Sequence, residues 1–533
     1  MADIDVKYTI DKFRKVENVR AQYDPIWQQC AVFMFQGSAV FYSNYNKGEN
    51  PPSQLTAENV FTDKPRTANQ RFASILYGLL TPDNQKWHYF ATDNAMLNKS
   101  RRVTEFFQQV NDIIFRLRYS PAGSFKRNML ATYLSVGAFG NGIMYIKDNG
   151  VGCKYINISL SECYLMENED KQIDSAFRKF KLNKRQAKSM LGYEVAGIND
   201  DDEVTILHYV FSNDEYVPYN PLSKRFRSVY IDYDKEKLIL EDGGYYTFPY
   251  AVFRYLPSEN SPYADGPGTL SLPAIKMLNQ MEKANIKQAH NITEPAVLVP
   301  SDNQFRKMAI KPNAVIRGGV NREGKAVVQT FSPAGNLPIA IEYSDRIGAA
   351  IDSAFLVDLM QLLRENPQMT ATEVIEKARE KSILISPALA LLQDEGFTMM
   401  IEREIDILSR QGLLPPMPDE LIEARGEYRI IFDAPMTRGQ DNEKLSGINL
   451  TLQQVLPYAQ IDQGVLDVFN FEEIAKISSR INNAPIEIIR SDEQINAIRQ
   501  QRAQAAQAEA QAAQIAEMAS ARKDLAIAQE KGL

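Results

Sequence analysis

GTLSLPAIKMLNQMEKANIKQAHNI (268–292) and LPIAIEYSDRIGAAIDSAFLVDLMQ (337–361) decide the fold. In the first stretch Leu272, Ile275, Leu278, Met281 and Ile286 fall on one helical stripe, and no glycine follows Gly268. That spacing predicts a long helix. Pro273 suits its first turn, where a missing N–H costs nothing. In the second stretch and just beyond it, Ile347, Ile351, Phe355, Leu359 and Leu362 share one helical face. Between the two lie three short β-type runs, Ala296–Pro300, Asn313–Gly318 and Ala326–Phe331, split by Gly318-Gly319 and the turn residues 321–324. The pattern is two rods, each ~30 Å long at about 1.5 Å per residue, with a small β module at their tip.

Upstream, residues 9–35 read as an aromatic-rich helical start with Ile10, Phe13, Val16, Tyr23, Trp27, Cys30 and Phe33 on its apolar side. Pro25 should kink or divide it. Residues 37–64 are polar and read as an exposed loop. Helices follow over 65–80, 101–119 and 121–136. From Gly142 the pattern turns to short β runs, the last at 245–256, so 1–267 reads as one α+β unit. Downstream, 370–411 and 437–482 are helical. The end of the chain, from Ser491, opens on a capping-box pattern and runs through an Ala/Gln repeat. Its helix propensity is high but its apolar face is thin (Ile495, Ile498, Ile515, Met518, Leu525), so such a helix needs neighbours, most simply copies of itself.

The 533 residues exceed one core, and three or four domains are expected. Hydrophobic content of 44% and charged content of 24% are those of ordinary folded protein. No apolar run reaches the roughly 18 residues of a membrane span, so no stable membrane insertion is expected. The acidic N-terminus lacks a secretory h-region. Cys30, Cys153 and Cys163 are too scattered for a disulfide framework or a zinc site. A net charge of −7 argues against tight, non-specific nucleic-acid binding over the whole surface, though not against a conduit past which DNA slides.

Motifs for catalysis are sparse. His88, His208 and His290 have no second histidine at metal spacing, and structural roles are expected. There is no phosphate loop of the Walker type and no Gly-x-Ser-x-Gly elbow. Gly137-Ala-Phe-Gly140-Asn-Gly142 has the wrong glycine spacing for a dinucleotide loop and reads as a helix-to-strand turn. The acidic run 200–203 lacks calcium-loop spacing and reads as a solvated turn. No enzyme, metal or cofactor is expected.

The helix–β–helix arrangement and several ordered stretches resemble the bacteriophage portal proteins, the head-to-tail connectors, and most closely those of short-tailed, podovirus-type phages. The stretches are RAQYDPIWQQCA (20–31), FASILYGLLTPDNQKW (72–87), MTATEVIEKA (369–378) and TRGQDNEKL (437–445). In order and spacing the likeness covers about residues 10–480; the C-terminal Ala/Gln segment is not matched in detail.

The resemblance implies a multidomain α+β portal fold. Residues 1–267 and 370–435 would form an α/β wing. Residues 268–292 and 337–361 would be the two stem helices, 293–336 a β-rich clip and 362–369 a channel loop. A helical crown would take 436–490, and 491–533 a C-terminal helix able to close a barrel with its copies. It also implies a homo-oligomeric ring of twelve subunits around a channel for double-stranded DNA. The ring would sit at one vertex of the virion among capsid and scaffold proteins, having assembled in the host cytoplasm. It would dock the terminase large subunit during packaging and the tail adaptor and tail proteins afterwards. The competing reading is an internal scaffold or core protein, which predicts an elongated helical chain without the sheet. A nucleic-acid-processing enzyme would need a carboxylate cluster for Mg²⁺.

Three sets of site residues follow. The stem helices carry complementary charge, and an antiparallel pairing sets Lys276 near Asp358, Lys283 near Asp352 and Lys287 near Asp345, within a chain or between neighbours. In the clip, Arg306, Lys307, Lys311, Arg317, Arg322 and Lys325 make a basic tip in an acidic chain, suited to partner docking. Under the resemblance, Arg364, Asn366 and Gln368 around the helix breaker Pro367 face the DNA in the channel loop.

Overall fold

The computed structural model describes residues 5–35, 59–194, 203–217, 220, 223–241, 243–294, 296–298, 323, 325, 329–331, 337–357, 387–424, 426–432, 437–459, 463–481, 490 and 492–530. They fall into two compact units. The first comprises 1–88 and 110–415; the second comprises 89–109, 416–433 and 437–533, so 89–109 does not cluster with the rest of the N-terminal region.

The first unit opens with α1 (Val6–Arg20), whose first N–H groups are met by the Asp5 carboxylate, and α2 (Asp24–Met34). Pro25 sits in the first turn of α2 and divides the two, as its fixed φ requires. Next comes α3 (Lys64–Leu80). The chain then passes through the second unit with β1 (His88–Ala91) and returns along α4 (Arg101–Arg118). α5 (Phe125–Phe139) ends at Gly140, which has φ +79°, and β2 (Asn141–Asp148) starts at once. The 137–142 glycine stretch is therefore the helix-to-strand turn its spacing suggested.

β2 pairs with β3 (Cys153–Ile158) and, on its other side, with β9 (Tyr250–Arg254) in a three-stranded antiparallel sheet. A five-stranded antiparallel meander comprises β4 (Cys163–Glu167), β5 (Ile173–Asn183), β6 (Glu203–Ser212), β7 (Phe226–Asp232) and β8 (Lys237–Glu241). The short α6 (Lys184–Leu191) joins β5 to β6 behind an Asn183/Gln186 capping box.

Cross-strand register builds the core of the meander. Tyr164, Phe177, Tyr209 and Val229 are successive partners on one face, and α1 drops Ile10 and Phe13 onto that row. Phe177 and Tyr209 stack at 3.9 Å. On the other face His208 stacks on Tyr230 at 4.1 Å, with Nε2 at 3.0 Å from the Ser228 hydroxyl and Nδ1 at 2.7 Å from the hydroxyl of Tyr250 in β9. Burial lowers the pKa of His208 to about 3, so it stays neutral and ties the two sheets together.

After the two-residue pair β10 (Leu256–Pro257) and β11 (Ala264–Asp265) comes α7 (Pro267–Thr293). The strands β12 (Ala296–Leu298) and β13 (Gln329–Phe331) pair antiparallel, and α8 (Leu337–Ala354) runs back. Described residues resume at 387 and pass through a π-helical turn, Leu392–Phe397, into α9 (Thr398–Arg410). In the second unit, α10 (Asp419–Glu423) precedes β14 (Arg429–Phe432), which pairs with β1. The helices α11 (Thr437–Ala459), α12 (Phe471–Ile481) and α13 (Asp492–Glu530) follow. α13 has 39 residues and leaves Ile515 and Met518 more than 60% exposed.

Candidate functional site: a helical hairpin anchored at its root

α7 and α8 form the predicted pair of rods, and their anchorage starts from glycine. At the joint between α5 and α7, an added Cβ on Gly140 would lie 2.3 Å from the Ala264 carbonyl. One on Gly266 would lie 2.5 Å from the Gly140 nitrogen, and one on Gly268 2.5 Å from the Ala138 carbonyl. Backbone therefore packs directly on backbone. The fully buried Asn141 closes the joint by acting as a peptide group: its amide donates to Ala264 O at 2.9 Å and accepts from Ala264 N at 2.9 Å. Any side chain that cannot do both leaves buried backbone unpaired, a penalty of about 1–3 kcal/mol per group.

The helix starts at Pro267, one residue before the expected 268. Pro267 takes the first-turn position expected for Pro273, which instead lies inside the helix and removes one backbone bond there. Leu272, Ile275 and Leu278 are buried, as are Ile347, Ile351 and Phe355 on the return. Phe355 meets Phe72 of α3 edge-on at 6.1 Å. Between the rods, the buried Asn285 donates to Ser344 Oγ at 3.1 Å.

That bond corrects the proposed charge register. Lys283 lies two residues before Asn285, and Asp352 eight residues beyond Ser344. In antiparallel rods this leaves them about 9 Å apart along the axis. Asp352 instead pairs with Lys64 at the start of α3, and the Lys283 ammonium lies 5.2 Å over the Phe61 ring. Within one chain the Lys283–Asp352 pair is therefore not made. Lys276, Lys287 and Asp345 form no ion pair with the opposite rod among the described residues. Asp358 lies outside the described residues.

The second rod also stops earlier than the expected 361. Leu356 adopts φ +60°, its N–H donates to Ser353 O at 3.0 Å, and Val357 N–H donates to Asp352 O at 2.9 Å. Two such bonds are the Schellman stop, with leucine where glycine is usual. At the tip, the first and third predicted β runs pair, Val297 opposite Thr330; 313–318 lies outside the described residues. So do Arg306, Lys307, Lys311, Arg317 and Arg322 of the basic set, and Arg364, Asn366 and Gln368 of the loop. Lys325 is exposed, with its ammonium 3.8 Å from the Glu323 carboxylate.

Where the chain returns, α9 is held by a buried ion pair. Arg118 Nε donates to Glu404 Oε1 at 2.8 Å, a second guanidinium nitrogen meets Oε2, and the Tyr155 hydroxyl donates to the same carboxylate. The guanidinium lies 4.6 Å over the Trp87 ring. Burial opposes its charge, and Glu404 outweighs that to hold Arg118 protonated. In the adjoining π turn, Glu395 takes two hydrogen bonds from Arg254, at 2.8 and 2.7 Å. None of these anchors was named from the sequence. The signal available was a polar residue, Asn279 or Asn285, inside an apolar helical stripe, which demands a partner.

No group of three metal-ligating side chains occurs among the described residues, and no described helix is long and apolar enough to cross a membrane. Of the acidic run, Asp200, Asp201 and Asp202 lie outside the described residues, and Glu203 opens β6.

The family model for bacteriophage head to tail connecting proteins matches residues 7–489. The portal protein of Salmonella phage epsilon15 is 23% identical over 99% of this chain and 97% of its own length. The probable portal protein of Bordetella phage BPP-1 is 21% identical over 93% of this chain and 91% of its own length. With most of its length matched, the chain belongs to the bacteriophage head to tail connecting protein family, the portal proteins that join head and tail as oligomers at the head–tail junction.

Proposed function

We propose that the chain forms a closed ring of twelve subunits whose hairpins wall a channel for double-stranded DNA. One observation carries this reading: beyond its root the hairpin leaves five large apolar side chains uncovered. Ile286 and Ile292 on α7 and Ile339, Ile341 and Tyr343 on α8 are each more than 40% exposed in a single chain. Apolar surface of this kind is stabilised when covered, at about 25 cal/mol per Å², and a like hairpin from a neighbouring copy is the cover that a ring supplies. In this reading residues 1–267 and 370–435 are the wing, 268–292 and 337–361 the stem, 293–336 the clip, 362–369 the channel loop and 436–490 the crown. Residues 491–533 form the C-terminal helix, whose thin apolar face is completed by its copies.

The basic clip docks the terminase large subunit during packaging and the tail adaptor afterwards, and Arg364, Asn366 and Gln368 exchange phosphate contacts as DNA slides. Lys276, Lys287 and Asp345 remain candidates for ion pairs between neighbouring copies. Assembly takes place in the host cytoplasm among capsid and scaffold proteins. The chain itself catalyses nothing, and force comes from the docked motor. An internal scaffold role is disfavoured by the eight strands of the two antiparallel sheets. Electron microscopy of the purified full-length protein tests the reading: class averages of closed annuli are expected, and a monomer in every preparation would overturn it.

A further inference from the structure

We propose that residues 59–64 are a strap that sets the tilt of the hairpin on its α/β mount, with Asn279 of α7 and Asp352 of α8 as positioning residues. The strap crosses both rods just before α3 begins. Asn279 is 5% exposed and spends both ends of its amide on strap backbone: Oδ1 accepts from Phe61 N at 2.7 Å, and Nδ2 donates to Asn59 O at 2.9 Å. Three residues on, the Lys64 ammonium donates to the carboxylate of Asp352, which is 7% exposed. Lys283 of α7 lies over the strap's Phe61 ring, so the strap is gripped from its outer side as well. Gly348 leaves α8 low where Lys64 crosses; a Cβ there would sit 3.6 Å from the lysine Cε.

These contacts have a direction. Lys64 is the first residue of α3, and α3 is fixed to α5 by the Asn69 amide, which donates to Leu134 O at 3.2 Å. Lys64 and the neighbouring Phe61 thus belong to the mount, and their bonds to Asp352 and Asn279 tie the rods to it. Beyond the Gly140–Gly266 joint and the Phe355–Phe72 contact, an attachment near position 279 of α7 and 352 of α8 limits the remaining swing of the rods. The two anchors also differ in chemistry. One is a neutral amide matched to backbone, which fixes position. The other is an ion pair that bridges to the second rod, so neither helix can move without the other. What the fixed tilt does for the protein, presenting the exposed isoleucines at one angle to the next copy, rests on the ring reading; the strap itself does not.

Hydrogen exchange on the full-length protein separates the two. In Lys64→Met and, as an independent variant, Asn279→Leu, the amides of α7 beyond 279 and of α8 before 352 should exchange about tenfold faster, while those of α3, α5 and the five-stranded sheet keep their wild-type rates. Unchanged exchange in both rods would overturn the strap, and so would a rise spread evenly over the whole unit. Arg346→Met removes an exposed hairpin cation that does not touch the strap and should leave every rate as it was. If the rods loosen as expected but the rings of both variants keep the wild-type subunit number and order, the strap stands and its link to ring geometry falls.

Discussion

The two ends of the hairpin obey opposite rules. At the root, three glycines, Asn141 and the strap pack backbone closely on backbone, and the amides of Asn141 and Asn279 meet backbone at both ends. Toward the tip, the same two helices expose isoleucines and a tyrosine on a single chain. The root is therefore a mount made by folding, and in the proposed ring the far half is a wall completed by association. The proposed ring needs both: each copy would hold its rods at one angle before copies close on each other.

Substitutions at the two ends sharpen that contrast. The largest loss is expected from Gly140→Ala. It places a methyl 2.3 Å from the Ala264 carbonyl on a residue with φ +79°. Overpacking and the left-handed penalty together should cost more than ~3 kcal/mol, read as a lower denaturant midpoint or failure to fold. Where the mount ends, Leu356→Gly relieves a leucine at φ +60° and should stabilise the first unit by up to ~1 kcal/mol, seen as a higher midpoint at unchanged slope. A drop of the same size would mean that leucine packing outweighs the strain. Smallest in stability is Ile341→Lys on the exposed wall. The single chain should change by less than ~0.5 kcal/mol, while ring assembly, followed by sedimentation, is lost. Normal rings from Ile341→Lys would separate the wall from assembly and leave the contrast between the two ends without a function.

The anchors themselves were illegible for an identifiable reason. Asn279, Asn141 and Glu404 each meet a partner far away in the chain: 220 residues for Asn279 and Asn59, 123 for Asn141 and Ala264, and 286 for Arg118 and Glu404. A single sequence carries the polar side chain but not the address of its partner. Of the rod charges, Lys283 and Asp352 take other partners within the chain than each other. Register there is set by one hydrogen bond, Asn285 to Ser344, and by the competing claim of Lys64 on Asp352. Pro267, not Pro273, opens α7: Gly266 before it is extended (φ −125°), and the fold packs Gly140 directly against it.

Local pattern was enough for the rods, the meander strands β5 to β8 and the break at Pro25, because helix period, strand alternation and the fixed φ of proline act over a few residues. It was not enough for β4 (Cys163–Glu167). Ordered stretches from Arg20 to Leu445 were enough for the family. The tertiary structure alone decided where the rods are mounted, which carboxylate each lysine meets, and where α8 stops. Those choices are made by backbone packing and buried polar groups, whose energies exist only once distant segments exclude water together.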